Sequence, residues 1–127
     1  MKQLFIFGLG YTAKRIAAAL KGQGWTVLAT GSDGSIAFED RDAVLAALSR
    51  SSHALSSVPP AREGGSDPVL ERYGAAVTQG WVGYLSSTGV YGDVAGAWVD
   101  ETAPTGGGRR SARAACDAQC LILQILN

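Results

Sequence analysis

Residues 4–13 read Leu4-Phe5-Ile6-Phe7-Gly8-Leu9-Gly10-Tyr11-Thr12-Ala13, a short continuous apolar run closed by a glycine and followed by a change of period. Four consecutive apolar side chains offer water no polar face, so the run is predicted to be a strand buried on both faces, as in a parallel sheet. From Thr12 onward Ala13, Ile16, Ala17 and Leu20 recur at i, i+3, i+4 and i+7, while Lys14, Arg15 and Lys21 point away. That spacing predicts an amphipathic helix, which Gly22 and Gly24 stop. Trp25 to Thr30 is β-branched and apolar and runs into Gly31-Ser32-Asp33-Gly34, hence a second strand and a turn. Strand, glycine turn, helix and strand make a βαβ unit.

The same alternation continues along the chain. Ile36 to Phe38 is at most a stub of strand, and Asp40 can cap a helix carrying Val44, Leu45 and Leu48. His53 to Val58 is a further parallel strand, stopped by Pro59-Pro60 because proline cannot donate to a ladder. Ala61 to Asp67 is polar and Gly-containing, hence a surface loop, and Pro68 suits the first turn of a helix expected to continue through Val69, Leu70, Tyr73 and Val77. Trp81 to Ser86 is the next strand. Tyr91 to Arg110 is mostly irregular, and a last helix over Ser111 to Leu126 puts Ala112, Ala115, Cys116, Cys120 and Leu123 on one face. The expected fold class is therefore α/β, a Rossmann-like doubly wound parallel sheet forming one domain over residues 1–127, with its sites at the carboxyl ends of the strands. Only four or five strands can be found against about six in a complete dinucleotide fold, so the fold reads as incomplete at its C-terminus.

Composition narrows the function classes. The 127 residues carry equal numbers of acidic and basic side chains, for a formal net charge of zero. No broad field would attract phosphate backbone or anionic lipid, and nucleic acid and membrane are not expected partners. With no apolar stretch of membrane-spanning length and no cleavable leader at the N-terminus, a cytoplasmic protein is expected. Cys116 and Cys120, four apart, match neither a redox pair nor a zinc set, and His53 has no second ligand at metal spacing, so no metal site is expected. His53 reads as a surface or capping residue. Trp25, Trp81 and Trp98 read as packing residues flanking strands.

Gly8-Leu9-Gly10-Tyr11-Thr12-Ala13 matches G-x-G-x-x-A, and the residue types fit its chemistry. Gly8 permits a tight turn, Gly10 lets backbone approach a pyrophosphate, and Ala13 lets the helix pack close to the sheet, while the helix N-terminus turns free N–H groups toward the phosphates. A positive φ could be required at Gly10. The residue closing the second strand usually selects the cofactor, since a carboxylate there holds a ribose 2′-hydroxyl. Thr30 occupies that place, followed by Gly31 and Ser32; Asp33 comes three residues late, in a turn where it could make only an Asx hydrogen bond. The expected cofactor is NAD or NADP, the missing carboxylate leaning toward NADP. Gly8, Gly10, Tyr11, Thr12, Ala13, Thr30, Ser32 and Ser57 form the candidate cofactor-binding set. The alternative is a close-packed turn without ligand.

Ser86-Ser87-Thr88-Gly89-Val90-Tyr91-Gly92-Asp93, with Trp98-Val99-Asp100-Glu101 after it, Ser57 to Leu70 and the opening Gly8 to Tyr11, together give the chain a resemblance. They resemble the extended short-chain dehydrogenase/reductase superfamily, particularly atypical bacterial members of the NAD-dependent epimerase/dehydratase family. The resemblance implies that Ser87, with Thr88 beside it, hydrogen-bonds the reacting oxygen of a small-molecule substrate. It also implies a Tyr-x-x-x-Lys pair for proton transfer at the start of the last helix, where this sequence has Arg109 and Arg113 instead. Arginine stays protonated at neutral pH and cannot shuttle a proton. Tyr91 is a substitute acid or a packing residue, and Asp100 and Glu101, adjacent on an extended segment, point opposite ways and are not expected to share acid/base duty. Relatives also tend to be longer between Thr30 and Glu39, so one adenine-side wall of the site is expected to be missing or disordered.

Two functional readings follow, an NAD(P)-dependent oxidoreductase or epimerase relative and a non-catalytic dinucleotide-binding module. A third is that the chain is a piece of a larger enzyme. The apolar end of the last helix, Leu121 to Leu126, is expected to form a homodimer surface if nothing else covers it.

Overall fold

Continuous burial, on both faces, is what a central parallel strand requires, and Gln3–Phe7 (β1) has it: Leu4, Phe5, Ile6 and Phe7 are all buried. The computed structural model describes residues 2–59, 61, 66–85, 95–100 and 102–103. Among them the order is β1, α1 (Tyr11–Lys21), β2 (Thr26–Ala29), α2 (Arg41–Ser49), β3 (His53–Ser56), α3 (Pro68–Tyr73), a 3-10 turn (Gly74–Ala76) and β4 (Trp81–Tyr84). The four strands form one parallel sheet in the order β2-β1-β3-β4. The chain steps from β1 to β2 on one side, then crosses back over β1 to β3. The direction of winding therefore reverses between β1 and β3, and the carboxyl ends of these two strands form the crevice where ligands of open α/β sheets bind.

Each face of the sheet has its own core. Leu4, Ile6, Ala29 and Leu55 meet Ala13 and Ala17 of α1 on one side. On the other, Phe5, Phe7 and Ala54 meet Val44, Ala47 and Leu48 of α2 and Val69 and Tyr73 of α3. The stripe of small and branched residues predicted for the first helix is the one that packs, and Asp40 caps α2 as expected, its carboxylate accepting from the Ala43 N–H at 3.3 Å. The stub after β2 is reduced to one parallel bridge between Thr30 and Ile36.

Four expectations need correction. The helix from Pro68 ends at Tyr73 rather than running to Val77, because the chain tightens into the 3-10 turn at Gly74. Asp67 does not belong to a solvated loop: it is 3% exposed and its Oδ1 accepts from the N–H groups of Val69 and Leu70 at 2.8 and 3.2 Å, closing the N-terminus of α3. His53 is half-buried with its ring between Trp25 and Trp81, at 4.7 and 5.9 Å, and its Nδ1 shares a hydrogen bond with the Ser52 hydroxyl. Trp98 is fully exposed among the described residues, whereas Trp25 and Trp81 pack as expected, Trp81 half-exposed beside His53 and an apolar groove of about 290 Å³ that α1 leaves over β3 and β4.

Tyr73 joins the loop after β2 to the core. It is 1% exposed, stacks on Phe7 with centroids 5.8 Å apart, meets Phe38 edge-on at 5.3 Å, and donates its hydroxyl hydrogen to the Phe38 carbonyl. Tyr73→Phe keeps the rings and deletes that donor, leaving a carbonyl in apolar surroundings. A loss of about 1–2 kcal/mol in urea unfolding is expected; parental stability would mean that the bond contributes nothing.

Candidate functional site

The glycine turn is held from both neighbouring strands. Thr30, at the end of β2, is 1% exposed; its hydroxyl accepts from the Gly8 N–H at 3.1 Å and its carbonyl from the Leu9 N–H at 3.0 Å. From β3, the Ser57 hydroxyl donates to the Gly8 carbonyl, with the Phe7 carbonyl 3.3 Å away. Gly8 has φ +86°, and a Cβ built there would stand 2.9 Å from Ser57 Oγ and 3.1 Å from Val58 Cγ2. The positive φ therefore lies at Gly8 and not at Gly10, which is extended at φ −88° and ψ −167°. The left-handed backbone that Gly10 could have required is found two residues earlier, where the chain leaving β3 crowds the turn.

Gly10 has the opposite property. Among the described residues nothing lies within 4 Å of the position its Cβ would take, so the absent side chain leaves open space over the turn. It is also the N-cap of α1, with no side-chain cap and no acidic residue in the first turn. The N–H groups of Tyr11, Thr12 and Ala13 have no intrahelical acceptor by the geometry of any helix start, and no carboxylate of that turn competes for them. Tyr11 is 76% exposed and Thr12 is exposed, while Ala13 is buried against the sheet. Open space at Gly10, unclaimed donors and the positive end of the helix dipole fit a pyrophosphate.

The wall beside this space comes from the turn after β2. Gly31, at φ +118°, packs so close that a Cβ would lie 3.1 Å from the Leu9 nitrogen. The short segment between Thr30 and Glu39 thus closes on the glycine turn at Gly31. Ser32 is exposed on it. Asp33 makes an ion pair with Lys14 of α1, not the Asx hydrogen bond that its turn suggested. Arg15 lies over the Tyr11 ring at 5.2 Å and donates to its hydroxyl at 3.0 Å. Thr30 and Ser57, placed in the cofactor-binding set from sequence, turn their hydroxyls to the backbone of the turn, so they shape it. The Lys14–Asp33 pair and the close approach of Gly31 to Leu9 were not read from the sequence. A hint was available in the βαβ reading, which brings the first turns of the helix beside the end of β2.

Ser87, Thr88 and Tyr91 lie outside the described residues, as do Glu101, Arg109, Arg113, Cys116, Cys120 and the helix expected over Ser111 to Leu126. Asp100 is a turn residue: its Oδ1 accepts from the Thr102 hydroxyl and N–H at 2.6 and 2.9 Å. These bonds, the hydroxyl's first, hold its carboxyl below the ordinary carboxylate range. Among the described residues no three His, Cys, Asp or Glu side chains cluster to hold a metal, and no helix is long and apolar enough to cross a membrane. A partly open apolar pocket of about 30 Å³ between α3 and the sheet, lined by Phe7, Val69 and Val82 among others, has room for roughly one water and none for a ligand of ordinary size.

No family model and no curated protein matches the chain. Solved structures do. A conserved protein of unknown function from Silicibacter pomeroyi superposes with a TM-score of 0.73 at 34% identity, over 94% of this chain and 48% of its own. A short-chain dehydrogenase/reductase superfamily protein from Agrobacterium tumefaciens, solved with bound NAD, superposes with a TM-score of 0.69 at 18% identity, over 95% of this chain and 44% of its own. The fold is Rossmann-like. The chain spans about half the length of each of these proteins. Within this Rossmann-like sheet the Gly8–Ala13 turn lies at the β1/β3 crevice, the place where the winding reverses.

Proposed function

We propose that the chain binds NAD(P) over the Gly8–Ala13 turn and works as a relative of nucleoside-diphosphate-sugar epimerases and short-chain oxidoreductases, acting on a small molecule. The observation that carries this reading is the division of labour between two glycines: Gly8 is clasped by Thr30 and Ser57, whereas Gly10 opens clear space in front of an uncapped helix start. Gly10 and the backbone of Tyr11, Thr12 and Ala13 would hold the pyrophosphate, and Ser32 stands on the adenosine side. Bound there, the dinucleotide supplies a hydride donor or acceptor. The NAD bound to the Agrobacterium tumefaciens protein of the same fold supports the ligand class.

On this reading Ser87, three residues beyond the end of β4 at Tyr84, polarises the reacting oxygen, with Thr88 and Tyr91 as its neighbours in the site. Ser87→Ala is expected to lower turnover by about 10²–10³ while NAD(P) affinity stays within about twofold, because the hydroxyl acts at the reacting oxygen and the pyrophosphate lies over β1. Equal loss of both would make Ser87 a structural residue. A specific feature favours a second reading, a non-catalytic dinucleotide-binding module: Arg109 and Arg113 stand where the proton-transferring tyrosine and lysine are expected. A nicotinamide absorbance change with a panel of sugar nucleotides and carbonyl compounds supports the enzyme. Stabilisation by NAD or NADP with no turnover across that panel supports the module.

A further inference from the structure

The end of β2 is where an open α/β sheet meets the adenosine ribose of a dinucleotide, and a carboxylate closing that strand accepts from the 2′-hydroxyl and repels a 2′-phosphate. Here the closing residue is Thr30, buried and engaged with the Gly8 N–H. The carboxylate comes later, at Asp33, and it is already paired with the Lys14 ammonium. Gly31 presses the turn onto Leu9, and Lys14 stands at the start of α1, its backbone N–H donating to the Gly10 carbonyl at 2.9 Å. The two partners are half-exposed, at 50% for Lys14 and 56% for Asp33, so either can leave the other for solvent or for a stronger partner. The neighbouring cation, Arg15, is occupied by Tyr11.

We propose that Lys14 anchors the 2′-phosphate of NADP and that Asp33 is its placeholder, an internal anion occupying the ammonium until the ligand's phosphate displaces it. This rests on the dinucleotide reading and deepens it by naming the 2′-phosphorylated cofactor. A carboxylate carries one negative charge, while a phosphate monoester carries about 1.5 to 2 at neutral pH and offers three acceptor oxygens. The phosphate is thus the stronger partner for the same ammonium, and the carboxylate loses only a solvent-screened bond. With the pair intact, no free negative charge faces the site from this turn, so the usual repulsion of a 2′-phosphate is absent.

Calorimetric titration of the intact chain with NADP and with NAD, for the parent, Lys14→Gln and Asp33→Asn, tests this. The parent is expected to bind NADP more tightly than NAD. Lys14→Gln is expected to weaken NADP by about tenfold, the worth of one charge-assisted hydrogen bond, with NAD unchanged within about twofold. Asp33→Asn removes the competitor and is expected to tighten NADP several-fold without weakening NAD. Three outcomes overturn the assignment while leaving dinucleotide binding intact: tighter binding of NAD by the parent, equal loss of both ligands in Lys14→Gln, or weakened NAD in Asp33→Asn, which would make Asp33 the ribose ligand. Should neither dinucleotide bind the folded parent, the dinucleotide reading itself fails and the assignment with it. A melting curve of each variant without ligand separates lost binding from lost fold.

Discussion

Gly10→Val is expected to weaken NAD(P) binding by at least about 100-fold, or roughly 2.7 kcal/mol, while changing the ligand-free stability by less than about 1 kcal/mol. The two halves of that expectation have separate causes. Gly10 is extended, a conformation that valine favours, and no atom lies within 4 Å of the added Cβ, so the protein itself has no objection beyond a poorer helix cap. The methyl groups would instead fill the space through which a pyrophosphate reaches the first N–H groups of α1. Melting curves with and without NAD or NADP read both quantities at once. A variant that melts like the parent and still gains the same stabilisation from either dinucleotide would make the Gly8–Ala13 segment a close-packed turn and nothing more.

Gly8→Ala should do the reverse, striking the fold before any ligand is added. At φ +86° an L-residue costs about 1–2 kcal/mol, and crowding Ser57 Oγ at 2.9 Å and Val58 Cγ2 at 3.1 Å adds on the order of 1–3 kcal/mol. Against the usual stability of about 5–15 kcal/mol for a domain, a combined loss of about 2–5 kcal/mol is large and would be plain in urea unfolding. Adding Ser57→Ala to the same chain removes the closer of the two contacts, so part of the loss returns, whereas the φ term stays. If Gly8→Ala unfolds at the parental urea concentration, β3 does not crowd the turn as the structure has it.

These two neighbouring glycines also separate what local sequence specifies from what it does not. Both were legible as members of one motif, and the motif placed them correctly between a buried strand and an amphipathic helix. Which of them carries the left-handed backbone was not legible, because that depends on Ser57 and Thr30, which arrive from strands some 50 and 20 residues away in the chain. The same distinction explains Asp67. Its place at the end of a polar, Gly-containing stretch reads as solvated loop, and only packing of α3 on Phe7 and Ala54 buries it, as the cap of that helix.

By itself, the sequence determined the βαβ opening, the parallel character of the sheet, the Asp40 cap and the apolar stripe of α1. Each is a short-range consequence of periodicity, of β-branching, or of where glycine and proline interrupt a hydrogen-bonded run. Tertiary structure alone decided the β2-β1-β3-β4 order, the clasp on Gly8, the clear space at Gly10 and the pairing of Lys14 with Asp33. Those features exist only where elements distant in sequence come within a few ångströms, and nothing in a local window records such an approach. Burial then turns the approach into energy, by making an N–H seek the one acceptor it can reach, and a charge the one opposite charge beside it.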